Sequence, residues 1–186
     1  MVPGVIRQSN HLTFLPPVKH FPLSKTALVG WPGLCALVIF LLDQFTKFLV
    51  YHNWPTPGEN EIVLIPKVLK LVHWRNLGAA WGILAGRPWL LGLLSLAVAL
   101  AIILYWKTIS EKEPFYAIPC GILLGGILGN MIDRLFFPLG VVDFIRFEYW
   151  PAFNVADSAI SCSVVFIIFY EFFRTKRAAG EKAKKG

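Results

Sequence analysis

Four long apolar stretches separated by shorter polar ones set the pattern of this chain. They cover about residues 27–50 (ALVGWPGLCALVIFLLDQFTKFLV), 88–106 (PWLLGLLSLAVALAIILYW), 114–136 (PFYAIPCGILLGGILGNMIDRLF) and 153–173 (FNVADSAISCSVVFIIFYEFF). Each reaches the roughly 20 residues that a helix needs to cross the hydrocarbon core of a bilayer. Buried helices of a soluble bundle would each show one apolar stripe. The stretch 88–106 is instead apolar on every face and uncharged. The pattern predicts an all-α polytopic membrane protein with four transmembrane helices. Between the first two, EIVLIPKVLKLVHWRN (61–76) is rich in β-branched and aromatic residues and follows Pro and Gly, which predicts a short strand or hairpin on the membrane surface. VVDFIRF (141–147) alternates enough to be another extended piece. KTISEKE (107–113) reads as a tight turn, and Pro138 and Gly140 as the end of the third helix.

Composition agrees with this reading. Of 186 residues, 56% are hydrophobic and 16% charged, too little polar surface for a soluble domain of this length. The net charge of +7 does not gather into a nucleic-acid-binding face. Arg7, Lys19 and Lys25 precede the first span, and Lys107 and Lys112 join the second and third. Arg174, Lys176, Arg177, Lys182, Lys184 and Lys185 follow the fourth. With four spans these regions share one side, which the positive-inside rule makes cytoplasmic, with both termini there. Lys67, Lys70, Arg75 and Arg87 on the other side are partly balanced by Glu59 and Glu61. The expected organisation is a basic tail over 1–25, a four-helix domain over 26–173 and a basic, frayed cytoplasmic tail over 174–186. The domain's extracytoplasmic segments are 51–87, which holds the β structure, and 137–152. Residues 1–25 hold no apolar core and no small-residue cleavage site, so the first span is expected to remain as an anchor. Cys35, Cys120 and Cys162 fall within apolar segments and the histidines are scattered, so neither a metal nor a cofactor is expected. The internal repeat typical of many transporters is missing.

The acids are distributed unevenly. Glutamates lie in loops, tails or at a helix end. Asp43 and Asp133 lie inside apolar segments, Asp143 follows the third and Asp157 opens the fourth. An aspartate at the centre of a membrane helix costs about 2.5–3.5 kcal/mol on insertion scales, which points to a use. Topology brings these residues to one level. Asp43 lies in the last third of an outward-running helix, Asn130, Asp133 and Arg134 near the outer end of another, and Asn154 and Asp157 at the outer start of an inward-running one. Such a layer near the extracytoplasmic interface has the makings of a site.

Spacing refines the assignment. Asp43 and Lys47 are an i, i+4 ion pair in the favourable order, serving either mutual neutralisation or binding. Asn130 and Arg134 share a face. Ala117, Gly121, Gly125, Gly129 and Asp133 recur every four residues, a row that lets a neighbouring backbone approach closely and assigns Asp133 to packing or to orienting Arg134. Asn154 is explained by helix capping and Asp157 by the helix dipole. Neither explains Asp143, fourteen residues upstream and joined to Asp157 by a loop able to fold back. Two neighbouring carboxylates share a proton and can hold a water between them, as in aspartic proteases. A proton relay or cation path would use such a pair equally well, and the glycine row alone would suit a membrane scaffold.

The motifs DQFTK (43–47), NLGAA (76–80), GGILGNMIDR (125–134), VVDF (141–144) and FNVAD (153–157), in this order on a four-span chain, resemble those of the bacterial lipoprotein signal peptidases, or signal peptidase II family, over roughly residues 30–173. The resemblance implies an aspartic endopeptidase of the bacterial cytoplasmic (inner) membrane, with its active site near the extracytoplasmic face. It would remove signal peptides from prolipoproteins just before a diacylglyceryl-modified cysteine. Asp143 and Asp157 would be the catalytic dyad. Asn76, Gly78, Asn130, Arg134, Asn154, Asp43 and Lys47 would line or brace the site. The implied partners are prolipoproteins bearing that lipidated cysteine and membrane lipid, with no nucleic acid, no cofactor and a monomeric enzyme. The family pattern implies Phe and then Ser after NLGAA, where this chain has Trp81 and Gly82.

Overall fold

The computed structural model describes residues 25–78, 84, 86–137 and 139–183. The tail up to Ser24, Trp81 with Gly82, Pro138, and Lys184 with Lys185 lie outside the described residues. Helix α1 spans Lys25–Asn53, α2 Pro88–Lys112, α3 Pro114–Phe136 and α4 Val155–Ala183. Strands β1 (Glu61–Ile65) and β2 (Leu69–Asn76) precede α2, and β3 (Val141–Phe147) links α3 to α4. All four helices are long and apolar enough to cross a membrane, as the periodicity predicts.

Two helices run further than their apolar stretches. The polar segment 107–113, expected as a turn, continues α2 to Lys112, and the Glu113 N–H still bonds the Ile109 carbonyl at 2.9 Å. The break falls at Pro114, which cannot donate to a continuing helix but suits the first position of the next. The tail expected to fray past Arg174 is helical to Ala183. There Arg174 bonds Glu113 of the α2–α3 junction at 2.9 Å and Glu171, one turn back, at 3.1 Å.

Helix α3 is the hub, packed on α1, α2 and α4. Of its apolar window 61% is buried, against 11–17% in the other three helices, whose large apolar side chains face outward. The small-residue row is the reason. A Cβ on Gly121 would sit 2.2 Å from the Pro32 carbonyl oxygen of α1, and one on Gly125 would sit 2.5 Å from that of Ala36. On the adjoining face a Cβ on Gly126 would lie 2.7 Å from the Ala156 oxygen of α4. The backbones touch where side chains would stand, as close membrane-helix packing requires.

The sheet is antiparallel in the order β1-β2-β3. Pro66 and Lys67 make the β1–β2 turn, with Lys67 at φ 59° and the Val68 N–H bonded to the Ile65 carbonyl at 3.0 Å. The fully buried His73 pins β2 to the end of α1 through the Trp54 carbonyl. Burial pushes its pKa down, against that hydrogen bond, which favours the neutral ring.

Replacing Gly125 by Leu should lower thermal stability in detergent well beyond the roughly 1–3 kcal/mol of ordinary overpacking, because the obstruction is backbone. Gly33→Leu on α1, where nothing lies within 4 Å, should leave the melting temperature nearly unchanged. Equal melting temperatures would overturn the close-approach account.

Candidate active site

Asp143 reaches the helices through the sheet. In the β2–β3 register Asn76 pairs with Val141 and Trp74 with Asp143, so Asn76 and Asp143 are diagonal neighbours on one face. The Asn76 amide donates to Asp143 Oδ2 at 3.0 Å, while its oxygen accepts the Gly78 N–H at 3.0 Å. Gly140, at φ 79°, brings the chain into β3 so close to the Asn76 carbonyl that a Cβ would lie 2.5 Å from it. Past β3 the chain reverses, and Phe153 pairs with Ile145 through N–H···O bonds of 2.9 Å in each direction. That bridge places Asn154 beside Asp143, the fold-back on which the sequence-level pairing of the two aspartates depends.

At the start of α4, Asn154 and Asp157 form a reciprocal capping box. The Asp157 N–H donates to Asn154 Oδ1 at 2.9 Å, and the Asn154 N–H donates to Asp157 Oδ2 at 3.3 Å. The capping explanation of Asn154 is therefore correct but incomplete. With its oxygen engaged by the helix, its amide nitrogen points the other way and donates to Asp143 Oδ1 at 2.8 Å. One residue thus holds both carboxylates, Asp143 by its side chain and Asp157 by its backbone.

Beneath them lies a buried ion cluster. Lys47 Nζ lies 2.7 Å from Asp43 Oδ2 and 2.7 Å from Asp133 Oδ2, two buried ion pairs, and donates to Asn130 Oδ1 at 2.9 Å. Asp43 and Lys47 are therefore more than a mutually neutralised pair. The other oxygen of Asp43 accepts the Ala156 N–H at 2.8 Å, so a carboxylate of α1 helps cap α4. Asn130 donates to Asp157 Oδ1 at 2.7 Å. Asp133 makes its ion pair with Lys47 instead of orienting Arg134, which donates to the Gly78 carbonyl at 3.3 Å. Gln44, inside DQFTK but given no role from sequence, bridges Asp43, the Gly129 carbonyl and Asp133 at 3.2–3.3 Å. Only its place next to Asp43 could have signalled it.

Both aspartates line an open cavity of about 960 Å³. Asn76, Gly78, Asn130 and Arg134 line it too, while Asp43, Lys47 and Asn154 support it from behind. Trp74, Arg75 and the 149–150 loop tip complete its rim, and Ser161 and Cys162 extend it along α4. Sequence reasoning assigned none of these rim residues to the site. Arg75 is held by the Gly140 carbonyl at 3.3 Å and by the Tyr51 ring, 5.2 Å from the guanidinium carbon. Asp143 is pushed up to about 7, first by burial and then by the charge of Asp157, against the amide hydrogen bonds and the Lys47 charge that pull it down. Such a pair can share one proton and polarise a water between its members. Among the described residues no group of three or more His, Cys, Asp or Glu is placed to hold a metal ion.

Residues 35–173 match the family model described as Signal peptidase (SPase) II. The chain is 40% identical over 151 residues to the lipoprotein signal peptidase of Anoxybacillus flavithermus, covering 79% of this chain and 88% of that one. It is 43% identical over 156 residues to that of Halalkalibacterium halodurans, covering 82% and 95%. A solved structure described as a bacterial membrane enzyme, determined by the in meso method at 2.3 Å resolution, superposes with a TM-score of 0.72. Its identity is 29%, over 80% of this chain and 92% of that one. A second, at 1.9 Å resolution, gives a TM-score of 0.66 at 30% identity, over 76% and 92%.

The raised pKa of Asp143 sets a pH dependence of stability. Its unfolded value is near 3.8 and its folded value about 7. Between them the folded chain keeps a proton that the unfolded chain has released, so stability falls as pH rises through that window. The melting temperature of the wild type should therefore drop between pH 5 and pH 7.5 relative to that of Asp143→Asn. Parallel melting curves across that range would contradict the coupling.

Proposed function

The chain belongs to the signal peptidase II family and is a multi-pass aspartic peptidase of the membrane that removes signal peptides from lipoproteins; on that premise we propose that Asp143 and Asp157 are its catalytic dyad and that it cuts just before a diacylglyceryl-modified cysteine. The observation that carries this reading is the grip of Asn154 on both carboxylates in the wall of an open cavity. Close carboxylates resist ionising together, so the pair holds one proton near neutral pH. Asp143, with its raised pKa, keeps that proton, and Asp157 acts as the base.

The chemistry follows from those two states. A water between the carboxylates gives a proton to Asp157 while its oxygen attacks the scissile carbonyl carbon, and Asp143 protonates the carbonyl oxygen. Collapse of the tetrahedral species breaks the C–N bond. The proton on Asp157 passes to the amine of the departing cysteine, and Asp143 regains its own from a hydroxyl of the intermediate. The amides of Asn76, Asn130 and Asn154 orient the dyad, and Arg134 in the cavity wall meets the carbonyls of an extended substrate. Gly78 supports Asn76 and Arg134, and Asp43 with Lys47 braces the site from below.

The same reading sets the surroundings. Charged and amide residues cluster at one end of the spans, and the basic residues at the other end orient them. This fits a bacterial inner-membrane protein, acting as a monomer, with both termini cytoplasmic and its site near the extracytoplasmic face. Water reaches that depth, while the signal helix and the diacylglyceryl chains of a prolipoprotein stay in lipid.

Asp143→Asn and Asp157→Asn should each reduce cleavage of a lipidated precursor by at least the roughly 10²–10⁴-fold that general acid–base groups contribute, with membrane insertion unaffected. Substantial cleavage by either variant would sink the dyad assignment. In the wild type kcat/KM should fall as pH rises above about 7, where Asp143 loses the proton that the reaction needs. A rate that stays level to pH 9 would contradict Asp143 as the acid.

A further inference from the structure

The ammonium of Lys47 is already matched by two carboxylates, yet it hydrogen-bonds a neutral amide. It holds Asn130 Oδ1 at 2.9 Å, and the nitrogen of that amide donates to Asp157 Oδ1 at 2.7 Å. An asparagine amide has nearly the same shape either way round, but turning it over exchanges donor for acceptor. An ammonium can only donate, so it demands the oxygen and leaves the NH₂ for the carboxylate. Asn154 gives the same oxygen a second, longer donor at 3.1 Å. The positive charge further polarises the amide, which strengthens the hydrogen bond at its far end.

We propose that Lys47 is a positioning residue that acts on Asp157 through Asn130, fixing the direction and strength of the hydrogen bond that aims this carboxylate. The proposal rests on the dyad reading above and assigns a task to the buried cluster. Asp43 and Asp133 neutralise Lys47 and hold it under Asn130. Asp43 works on the same turn of α4 by a second route, the Ala156 N–H immediately before Asp157. The cation therefore sits at the start of a chain of donors that ends on the proposed base.

The test is a double-mutant cycle on cleavage of a lipidated precursor peptide by the full chain in detergent micelles. Lys47→Met keeps the side-chain stem and removes the charge. It should lower kcat on the order of 10²-fold, the cost of a small misplacement of a reacting group, with little change in KM. Asn130→Ala should lower kcat as well. If Lys47 works through Asn130, the double variant is no slower than the slower single variant. Losses that multiply would overturn the proposal.

The pH profile separates positioning from mere structural support. The charged groups around the dyad are Asp43 and Lys47 on α1, Arg75 on β2, Asp133 and Arg134 on α3, Asp143 and Arg146 on β3, Glu148 just past it, and Asp157 on α4. Burial and the charge of Asp157 raise the pKa of Asp143, and Lys47 acts in the opposite direction. Without the ammonium the pair holds its proton more tightly, so the alkaline limb of the rate profile should move to higher pH. A lower melting temperature with an unmoved limb would also overturn the proposal. Because Lys47→Met strands two buried carboxylates, Lys47→Met combined with Asp133→Asn provides a variant with the wild-type net charge in the cluster; its limb should move less than that of Lys47→Met, while kcat stays low because Asn130 has lost its ammonium. If Asp157→Asn still cleaves, the dyad reading itself falls. If that variant is dead and the Lys47 and Asn130 losses multiply, only the positioning role falls.

Discussion

A single ammonium buried within membrane helices constrains everything around it. Lys47 cannot stay charged in an apolar span without opposite charge and an acceptor close by, and it draws them from α1 and α3. Removing one partner from a buried ion pair typically costs about 3–5 kcal/mol, because the remaining charge is stranded. The requirement holds the C-terminal ends of α1 and α3 in one arrangement. It is compatible with the glycine row about two and three turns before Asp133 on α3, where the same two helices meet backbone to backbone. Close contact at the glycines leaves just the space that the cluster fills.

The cluster reaches α4 by its hydrogen bonds, and the sheet reaches it by register. Asp43 caps the Ala156 N–H, and Asn130 meets Asp157. From the other side, Asn76 and the Ile145–Phe153 bridge deliver Asp143 to the same turn. Asn154 is where the two systems join. Capping consumes its oxygen and leaves its nitrogen for Asp143, so the structural role of this residue enables its place in the site.

The cavity above this floor combines two environments. Its base holds carboxylates and amides already engaged with one another. Its rim carries Trp74 and the Trp150 loop tip, and its wall follows α4 into the apolar span as far as Cys162. An amphipathic ligand with a lipid-held portion and a polar backbone meets suitable chemistry at each end. Stability is lost in the same place, since burying Asp143 near Asp157 opposes its ionisation.

Much of this was legible in the residues. Four spans, the β content of 61–76 and 141–147, the close-approach row on α3 and the gathering of acids at one depth follow from length, periodicity and spacing, because helix geometry and the cost of charge in lipid act locally. Local rules also gave the capping role of Asn154. They misjudged where α2 ends, since a polar sequence continues a helix readily until a proline stops it, and where α4 ends, since Arg174 finds partners on another element. They gave Asp133 to packing or to Arg134, where the fold gives it to Lys47, and they passed over Gln44 and Arg75. The sequence by itself determined which residues would be costly in the membrane and on which helices they stand. Only the tertiary structure decided which of them meet, because hydrogen-bond partners 11 to 113 residues apart in the chain are chosen by helix packing and strand register.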